Sequence, residues 1–323
     1  MRKTKKALIL GITGQDGAYL TDFLLKKGYK VEGVSRNLSK KNLFRLEKLN
    51  LLDKVNLNKL NNKDLNKLSS LISHYKPDEI YNLSGLSSVY QSFQEPYEAY
   101  LSNVIPVLNI LEIIKNSSRS IKFYNSGSGE IFGNTNKVVD ENTTPKPVSP
   151  YGYSKLASFN LIKSYRESFS LRAFSGLAFN HESVLRGENF VTKKILSVAV
   201  EIFQGKKTSL KLGNISIERD WGWAPEYVEA MWLIMQQKSP LDIILSTGKT
   251  MPLSFFVSEV FSKLNLSWED HVKYDDSLNR PSELFRIKTK PSLAKEILGW
   301  EAEYYLSSLI DKLLEEELKD KKI

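Results

Sequence analysis

The sequence predicts an α/β fold: a doubly wound parallel sheet flanked by helices, together with a smaller, discontinuous α/β lobe. Three observations support this prediction. Short apolar runs alternate with helical patterns in the first half of the chain, hairpin signals are missing between them, and the first apolar run leads directly into spaced glycines. Such alternation is typical of parallel strands joined by helical crossovers.

The first element is a strand beginning at Ala7, and three glycines at regular spacing follow it. Gly11, Gly14 and Gly17 lie between this strand and a helical pattern. Because glycine lacks a Cβ atom, the backbone can turn tightly and approach a pyrophosphate, which the N-terminus of the next helix stabilises. The pattern predicts a Rossmann-type dinucleotide site, with an ordinary strand-to-helix turn as the alternative.

The second strand, residues 29–36, bears on the choice of cofactor. A dinucleotide with a free ribose hydroxyl favours an acidic residue near the end of this strand, but Arg36 lies there. An arginine suits a 2′-phosphate through its charge and its bidentate geometry. We therefore expect NADP rather than NAD; a solvated arginine is the alternative.

The next elements continue the alternation of strands and helices. They are a helix, a short strand over 54–59 and a second helix within residues 37–75, a strand over 78–83, a loop of small residues over 84–88 and a long helix over 96–114. We expect all of these strands to belong to the parallel sheet.

A hydroxyl and a carboxylate follow the next strand, which begins near Ile121. Ser128 and Glu130 lie just beyond its end, where open α/β sheets bind ligands. In an extended segment, alternate residues face the same side of the backbone. We therefore expect both side chains to face one ligand; a capping or surface role is the alternative for Glu130.

A long helix then brings a phenol and an ammonium to the same place. Ser149 can cap it, and Pro150 suits its first turn. Tyr151 and Lys155 are four residues apart and share one helical face. The ammonium is expected to lower the pKa of Tyr151 from its usual value of about 10, so that the phenolate can act as a base near neutral pH. Taken alone, this pair could also be a chance arrangement.

The rest of the chain is predicted to complete the first domain and build the second. Its elements are a strand over 170–179, a polar and then helical stretch over 180–195, a helix over 225–237 and a terminal amphipathic helix from residue 306. We expect residues 1–179 to form the cofactor-binding domain, with segments near 217–245 returning to it. Residues 180–323 are expected to form mainly the substrate-binding lobe.

Composition excludes several kinds of protein and site. The 323 residues are 41% hydrophobic, contain no cysteine, and have three widely separated histidines. Disulfides and cysteine-ligated zinc are therefore excluded, and we expect no metal site. The net charge of +9 comes from scattered lysines, so we expect no nucleic-acid partner. No apolar run reaches the roughly 20 residues of a membrane span, and the basic start Met1–Lys6 precedes a strand rather than a signal peptide. We expect a cytoplasmic protein.

Six segments carry a resemblance to a known family. In order, they are GITGQDGAYL, IYNLSG, FYNSGSGEIFG, SPYGYSK, FNHESVLRGENFVTKKI and GNISIERDWGWAPEYVEAMW. Together they resemble the extended short-chain dehydrogenase/reductases that modify nucleotide sugars, and among these the GDP-mannose 4,6-dehydratase family. The resemblance covers nearly the whole chain, and its last two segments are the most specific.

The resemblance implies roles for the residues that match. The catalytic positions are Ser128, Glu130, Tyr151 and Lys155. The NADP-binding positions are Gly11, Thr13, Gly14, Gln15, Asp16, Gly17, Arg36, Leu83, Tyr151, Lys155, His181 and Arg186. The GDP-sugar positions are Ser128, Asn180, Glu188, Val191, Lys194, Arg219, Arg280 and Glu283. The cations in this last group suit a diphosphate.

The chain departs from the family pattern at three places, all on the cofactor side. Lys59-Leu60 stands where the family has aspartate-leucine near the adenine. The loop Ser84–Ser88 replaces glycine-alanine-glutamine-serine-histidine, and Arg36-Asn37 replaces a pair of arginines that help relatives to form tetramers. A homodimer or a homotetramer is therefore expected.

The implied reaction converts GDP-mannose to GDP-4-keto-6-deoxymannose by internal hydride transfer and loss of water. Tyr151 would take the proton from the sugar O4, Ser128 would hydrogen-bond that oxygen, and Glu130 would act as the base at C5. Three alternatives stay open: a GDP-heptose 4,6-dehydratase, a GDP-4-keto-sugar reductase or epimerase, and a non-catalytic protein that binds NADP or a nucleotide sugar. Of these, a plain 4-keto-sugar reductase needs no base at C5.

Overall fold

A computed structural model describes residues 4–321 of the chain. The strands are β1 Lys6–Leu10, β2 Lys30–Ser35, β3 Asn56–Lys59, β4 Glu79–Asn82, β5 Lys122–Ser128, β6 Val138–Val139, β7 Ala173–Ala178, β8 Asn180–Glu182, β9 Leu210–Leu212, β10 Glu218–Trp223, β11 Asp242–Leu245, β12 Thr250–Pro252, β13 Val272–Tyr274 and β14 Lys288–Thr289. The helices are α1 Gln15–Lys26, α2 Lys40–Lys48, α3 Leu65–Tyr75, α4 Val89–Gln94, α5 Pro96–Lys115, α6 Pro150–Phe169, α7 Val191–Phe203, α8 Ala224–Gln236, α9 Leu253–Lys263, α10 Trp268–His271 and α11 Leu306–Asp320. The basic segment at residues 1–3 lies outside the described residues.

Seven strands form the main sheet in the order β11-β7-β5-β4-β1-β2-β3. Every neighbouring pair in this sheet is parallel, which confirms the predicted doubly wound α/β fold. The strand order reverses direction between β1 and β4. In open α/β sheets such a switch point opens a crevice at the carboxyl ends of the strands.

The two faces of the main sheet have separate cores because alternate residues of a strand point to opposite faces. Ala7 and Ile9 of β1 pack with residues of α1 and α8 on one face. Leu8 and Leu10 pack with residues of α3 and α5 on the other face. β1 is therefore apolar without alternation, as expected for a strand buried on both faces.

A third core lies outside the main sheet. It consists of buried side chains from α7, α9 and α11 together with β9 and β10, and its largest fully buried members are Trp221, Phe256 and Phe261. β11, although it comes after residue 179, pairs with β7 at the edge of the main sheet. The division into a cofactor domain and a substrate lobe at residue 179 stays a prediction.

Most of the predicted elements have their expected type and place, including the helix that begins at Pro150. Ser149 caps that helix by accepting a hydrogen bond from the Gly152 amide at 3.0 Å. The sequence reasoning missed α4, α9, α10, β11 and the small sheets formed by β6, β8, β9 and β12–β14. Except for α9, which has 11 residues, these elements are two to six residues long, too short to show a clear period.

Candidate active site

Two adjoining cavities open at the carboxyl ends of the main-sheet strands. The large cavity has a volume of about 660 Å³ and extends from β5 and α6 to α7 and β10. The small cavity has a volume of about 320 Å³ and lies between the ends of β1, β2 and β4. The residues that line both cavities are Asp16, Leu83, Ser84, Gly85, Ser87 and Arg186. The two cavities therefore form one crevice at the switch point between β1 and β4.

The glycine loop that borders the small cavity has no room for side chains at two of its three glycines. Gly11 has φ +85°, and a Cβ atom there would lie 2.7 Å from the Leu83 carbonyl oxygen. A Cβ atom on Gly17 would lie 2.3 Å from the Gly11 oxygen. Gly14 begins α1 without a side-chain cap. The backbone amides at the N-terminus of α1 suit a pyrophosphate, so the residues present fit a dinucleotide.

Asp16, which lines both cavities, forms a buried ion pair with His181, which lines the large one. The Asp16 carboxylate lies 3.0 Å from Nε2 of His181, whose Nδ1 faces the Phe179 carbonyl oxygen at 2.7 Å. Burial alone would raise the pKa of Asp16, but the charge and hydrogen bond of His181 hold it at about 2. Burial likewise opposes the charge on His181, but Asp16 raises the pKa of the imidazole above its usual value.

Gln15, like the Asp16–His181 pair, connects the glycine loop to β8 and the residues that follow it. Its amide donates to the His181 carbonyl oxygen at 3.1 Å, and its Oε1 accepts from the Ser183 hydroxyl at 2.8 Å. Thr13 contributes a hydroxyl 3.0 Å from that of Ser35 at the end of β2. All the glycine-loop residues predicted to bind the cofactor therefore lie at the small cavity.

The rim of the small cavity carries a charge cluster. Arg36 donates to the Glu98 carboxylate of α5 at 3.0 Å, and Lys63 donates to the same carboxylate at 2.9 Å. Asn62 lines this cavity. Lys59, which ends β3, and Leu60 do not line this cavity. That Lys59-Leu60 stands in the place near the adenine stays a prediction.

The unusual loop from Ser84 to Ser88 borders the large cavity along its whole length. Gly85, with φ +127°, lets the backbone pass close to Asn103 of α5, since a Cβ atom there would lie 2.1 Å from the Asn103 Oδ1. The Asn103 amide donates to the Leu86 carbonyl oxygen at 3.2 Å and to the Ser154 hydroxyl at 2.9 Å. The loop is thereby attached to α6 beside Lys155.

Ser128 and Glu130 both line the large cavity, as predicted. The predicted reason, that alternate residues of an extended segment face the same side, is wrong. Ser128 ends β5, and residues 129–131 form a tight 3₁₀ turn rather than an extended segment. The Ser128 hydroxyl accepts a hydrogen bond from the Glu130 amide at 3.2 Å and so starts this turn. The turn, rather than strand alternation, brings the two side chains to the same space.

Tyr151 and Lys155 also line the large cavity, on one face of α6. Lys155 donates to the Ser126 carbonyl oxygen at 2.9 Å, and its Nζ lies 5.7 Å from the centre of the Tyr151 ring. The predicted lowering of the Tyr151 pKa is wrong: burial raises it to about 12, although a hydrogen bond with Ser128 acts in the opposite direction. Burial lowers the pKa of Lys155 to about 8, against the opposing charge of Asp16.

Two arginines share one carboxylate at the far end of the large cavity. Glu283 accepts from Arg219 at 2.9 Å and from Arg280 at 3.1 Å. Burial lowers the pKa of Arg219, while the nearby charge of Glu130 opposes this change. Both arginines line the cavity, and Glu283 lies behind them. The shared carboxylate leaves this group with a net positive charge that suits an anionic ligand.

The remaining predicted ligand residues come from the segment that follows β7. Asn180, Glu188, Val191 and Lys194 line the large cavity. The Lys194 ammonium donates to the Lys211 carbonyl oxygen at 2.7 Å.

Sequence reasoning missed a buried acid and two amides in this site. Glu182 is 2% exposed, accepts from the Thr192 hydroxyl at 2.7 Å and lies 3.1 Å from Nε of Arg186. Asn62 and Asn103 are the amides described above. Glu182 lies inside the matched segment, next to His181, and Asn103 is a polar residue on the apolar face of a long helix. Both features could have been noticed in the sequence.

Comparison with known proteins identifies the group to which this site belongs. The family model described as GDP-mannose 4,6 dehydratase matches residues 8–313. The chain belongs to the GDP-mannose 4,6-dehydratase family. GDP-mannose 4,6 dehydratase 1 of Arabidopsis thaliana is 42% identical over 99% of this chain and 91% of its own length. GDP-mannose 4,6 dehydratase of Homo sapiens is 36% identical over 95% of this chain and 90% of its own length.

Solved structures confirm the fold of this family member. UDP-glucose 4-epimerase of Thermotoga maritima superimposes with a TM-score of 0.86 at 20% identity, covering 98% of this chain and 100% of that chain. dTDP-glucose 4,6-dehydratase of Bacillus anthracis superimposes with a TM-score of 0.85 at 17% identity, covering 99% and 98%. At these identities the likeness concerns the fold.

Neither a membrane-spanning helix nor a metal-binding cluster occurs in the described part of the chain. Within residues 4–321, no helix combines the length and apolarity needed to cross a bilayer. The same residues contain no group of three or more histidine, cysteine or acidic side chains placed to hold a metal ion.

Proposed function

We propose that this member of the GDP-mannose 4,6-dehydratase family converts GDP-mannose to GDP-4-keto-6-deoxymannose, using NADP bound in the small cavity and the sugar bound in the large one. The observation that carries this proposal is the meeting of Ser128, Glu130, Tyr151 and Lys155 in one cavity. When bound, the dinucleotide would accept hydride from the sugar C4 and return it at C6.

Tyr151 and Lys155 are proposed to remove the proton from the sugar O4. The phenol and the ammonium lie on one helical face, and Ser128 hydrogen-bonds the phenol, so a hydroxyl placed there could lose its proton to the pair. Lys155 is held against the Ser126 carbonyl of β5, which fixes its position relative to Tyr151. Positioned groups of this kind typically contribute about 10²–10⁴-fold each.

Glu130 is proposed to act on the other side of the ring. Once C4 is a ketone, the hydrogen on C5 is acidic, and elimination needs a base to take this proton and an acid to protonate the departing O6. Glu130 shares the cavity with Tyr151, so it can serve both needs in turn while the phenol serves O4. A plain 4-keto-sugar reductase requires no such carboxylate.

The GDP diphosphate is proposed to lie along the cations at the far end of the large cavity. Arg219 and Arg280 line that end, and Lys194 lies there as well. Arg36 is proposed to bind the 2′-phosphate of NADP at the rim of the small cavity.

A homodimer or homotetramer is also proposed. The exposed aromatic rings of Tyr97 and Tyr153, on the packed helices α5 and α6, support this assembly, which light scattering would test.

The decisive experiment replaces Glu130 by glutamine. Glu130→Gln keeps the size and hydrogen bonding of the side chain but cannot accept the C5 proton. We expect product formation to fall by about 10²-fold or more, with normal binding of GDP-mannose and an accumulation of reduced cofactor that is visible by its absorbance. Mass spectrometry of the nucleotide sugar would follow the loss of water.

Glu141→Gln is the matched control, because Glu141 accepts a hydrogen bond from the Ile244 amide away from the cavity. It should turn over normally. Normal turnover of Glu130→Gln would contradict the assigned role of Glu130. Consumption of added NADPH with a 4-keto sugar, without any loss of water, would identify a reductase instead.

A further inference from the structure

Arg45 of α2 bonds to two separate segments of the active site. Its Nε donates to the Leu185 carbonyl oxygen at 2.7 Å, and one terminal nitrogen donates to the Thr13 carbonyl oxygen at 3.1 Å. Its guanidinium also stacks 4.4 Å from the centre of the Phe44 ring. Both bonds go to backbone carbonyls, so they depend on the path of the chain at Thr13 and Leu185 rather than on side-chain identity.

The two segments joined by Arg45 belong to different binding sites. Thr13 lies in the glycine loop at the small cavity. Leu185 is followed by Arg186, which lines both cavities, and by residues 188–192, which line the large cavity. Arg45 does not line either cavity in the described structure, so we assign it no direct ligand contact.

The charges around Arg45 fit a positioning role. Burial lowers its pKa, the neighbouring charge of Arg186 lowers it further, and the charge of Asp16 opposes both. Arg45 and Arg186 repel each other, and the two carbonyl bonds offset that repulsion. An anion bound beside Arg186, whether from the dinucleotide or from the nucleotide sugar, would relieve the same repulsion.

We propose that Arg45 couples the two binding sites: its forked bond holds the glycine loop and segment 183–190 in one arrangement, so that a ligand ordering either segment favours binding at the other. This inference rests on the proposed function, since it requires a dinucleotide in one cavity and a nucleotide diphosphate in the other. A ligand that orders a shared segment reduces the entropy that the second ligand must lose. By linkage, the coupling must be the same in both directions.

The test measures the dissociation constant of NADP⁺ with and without saturating GDP, and that of GDP with and without NADP⁺. In the unmodified protein we expect each ligand to tighten the other by about fivefold or more. Arg45→Lys keeps the charge but replaces the planar guanidinium, which reaches the two carbonyls with two different nitrogens, by a single nitrogen, and Arg45→Met keeps only the apolar stem. In both variants we expect the mutual effect to fall to about twofold or less, while each ligand alone still binds.

Arg166→Lys is the matched control. Arg166 forms a similar fork, to Asp242 at 2.7 and 3.0 Å, and bonds the Ala173 carbonyl oxygen away from both cavities. It should keep the coupling of the unmodified protein. Thermal unfolding of all variants, together with binding of each single ligand, shows that they are folded.

Three outcomes would overturn the proposal. One is an absence of coupling between the two ligands in the unmodified protein, and another is equal coupling in Arg45→Lys and the unmodified protein. The third is full coupling in Arg45→Met, which would assign the connection between the segments to Gln15 and Ser183. Failure to bind either ligand at all would instead contradict the proposed function, so the two failures can be distinguished.

Discussion

Two arginine–glutamate pairs mark the two ends of the crevice, and they differ in their access to solvent. Arg219 and Glu283 are 2.9 Å apart, with side chains 6% and 15% exposed. Arg36 and Glu98 are 3.0 Å apart, with side chains 58% and 34% exposed. Two ion pairs with equal distances therefore differ in their electrostatic interaction. Water and salt screen the charges of the exposed pair much more than those of the buried pair.

The same difference separates the interior of the site from its rim. In the interior, burial raises the pKa of Tyr151 to about 12 and lowers that of Lys155 to about 8. At the rim, Arg36 meets Glu98 largely in solvent. Substitutions in the interior should therefore have large effects that depend on pH, and substitutions at the rim should have small effects that depend on salt.

Lys155→Met should have the largest effect. In the free protein, Tyr151 and Lys155 together lose a first proton near pH 8, the pKa of Lys155, and so gain a proton-accepting group as pH rises through that value. Without the lysine, the phenol must lose its proton alone, with a pKa near 12. Since each pKa unit changes the deprotonated fraction tenfold, kcat/KM at neutral pH should fall by about 10³-fold or more.

The pH profile is the measurement that checks this prediction. The rising limb of kcat/KM should move from near pH 8 towards higher pH in Lys155→Met. Lys163→Met, at an exposed position of the same helix, is the control and should keep the original profile. An unchanged profile in Lys155→Met, with full activity, would remove Lys155 from the proposed mechanism.

The sequence predicted the fold and the position of the interior residues because local patterns determine both. The glycines, the alternation of apolar strands with helices, and the Ser149-Pro150 helix start each act within a few residues. The same local signals placed Ser128, Tyr151 and Lys155 at the ends of elements that border one crevice. The family resemblance added residues from the second half of the chain, such as Arg219 and Arg280, which line the large cavity.

What the sequence did not predict depends on burial and on contacts between distant segments. The direction of the Tyr151 pKa shift follows from how deeply the phenol is buried, which helical spacing does not reveal. The partner of Arg36 is Glu98, 62 residues away, and the partners of Arg45 are backbone carbonyls 32 and 140 residues away. Such partners become visible only when the elements are placed in space.

Arg36→Ala tests the rim directly. Because Arg36 is exposed, losing its interaction with a 2′-phosphate should weaken NADP⁺ binding by only about tenfold. NAD⁺ binding should barely change, since NAD has no phosphate at that position. Dissociation constants for both dinucleotides, measured at low and high salt, check this: the preference for NADP should shrink as salt rises. Equal affinity for the two dinucleotides in the unmodified protein would contradict the proposed role of Arg36.

Glu98→Gln should have the smallest effect, and in the opposite direction. Glu98 forms ion pairs with both Arg36 and Lys63, and its negative charge would face an incoming 2′-phosphate. Removing that charge frees the two cations and lowers the repulsion, so NADP⁺ should bind about two- to fivefold more tightly while NAD⁺ does not. Glu112→Gln, on the same helix and paired with Lys115, is the control and should leave both affinities unchanged.

The double variant Arg36→Ala with Glu98→Gln determines how Glu98 acts. If Glu98 acts mainly by occupying Arg36, its removal should bring little gain once Arg36 is gone, so the two substitutions should not be additive. If the gain persists in full, Lys63 or direct repulsion is the cause. Weaker NADP⁺ binding in Glu98→Gln would show that the carboxylate orients the rim cations for the phosphate. In that case the exposed pair, like the buried pair of Arg219 and Glu283, would be a preorganised part of the site.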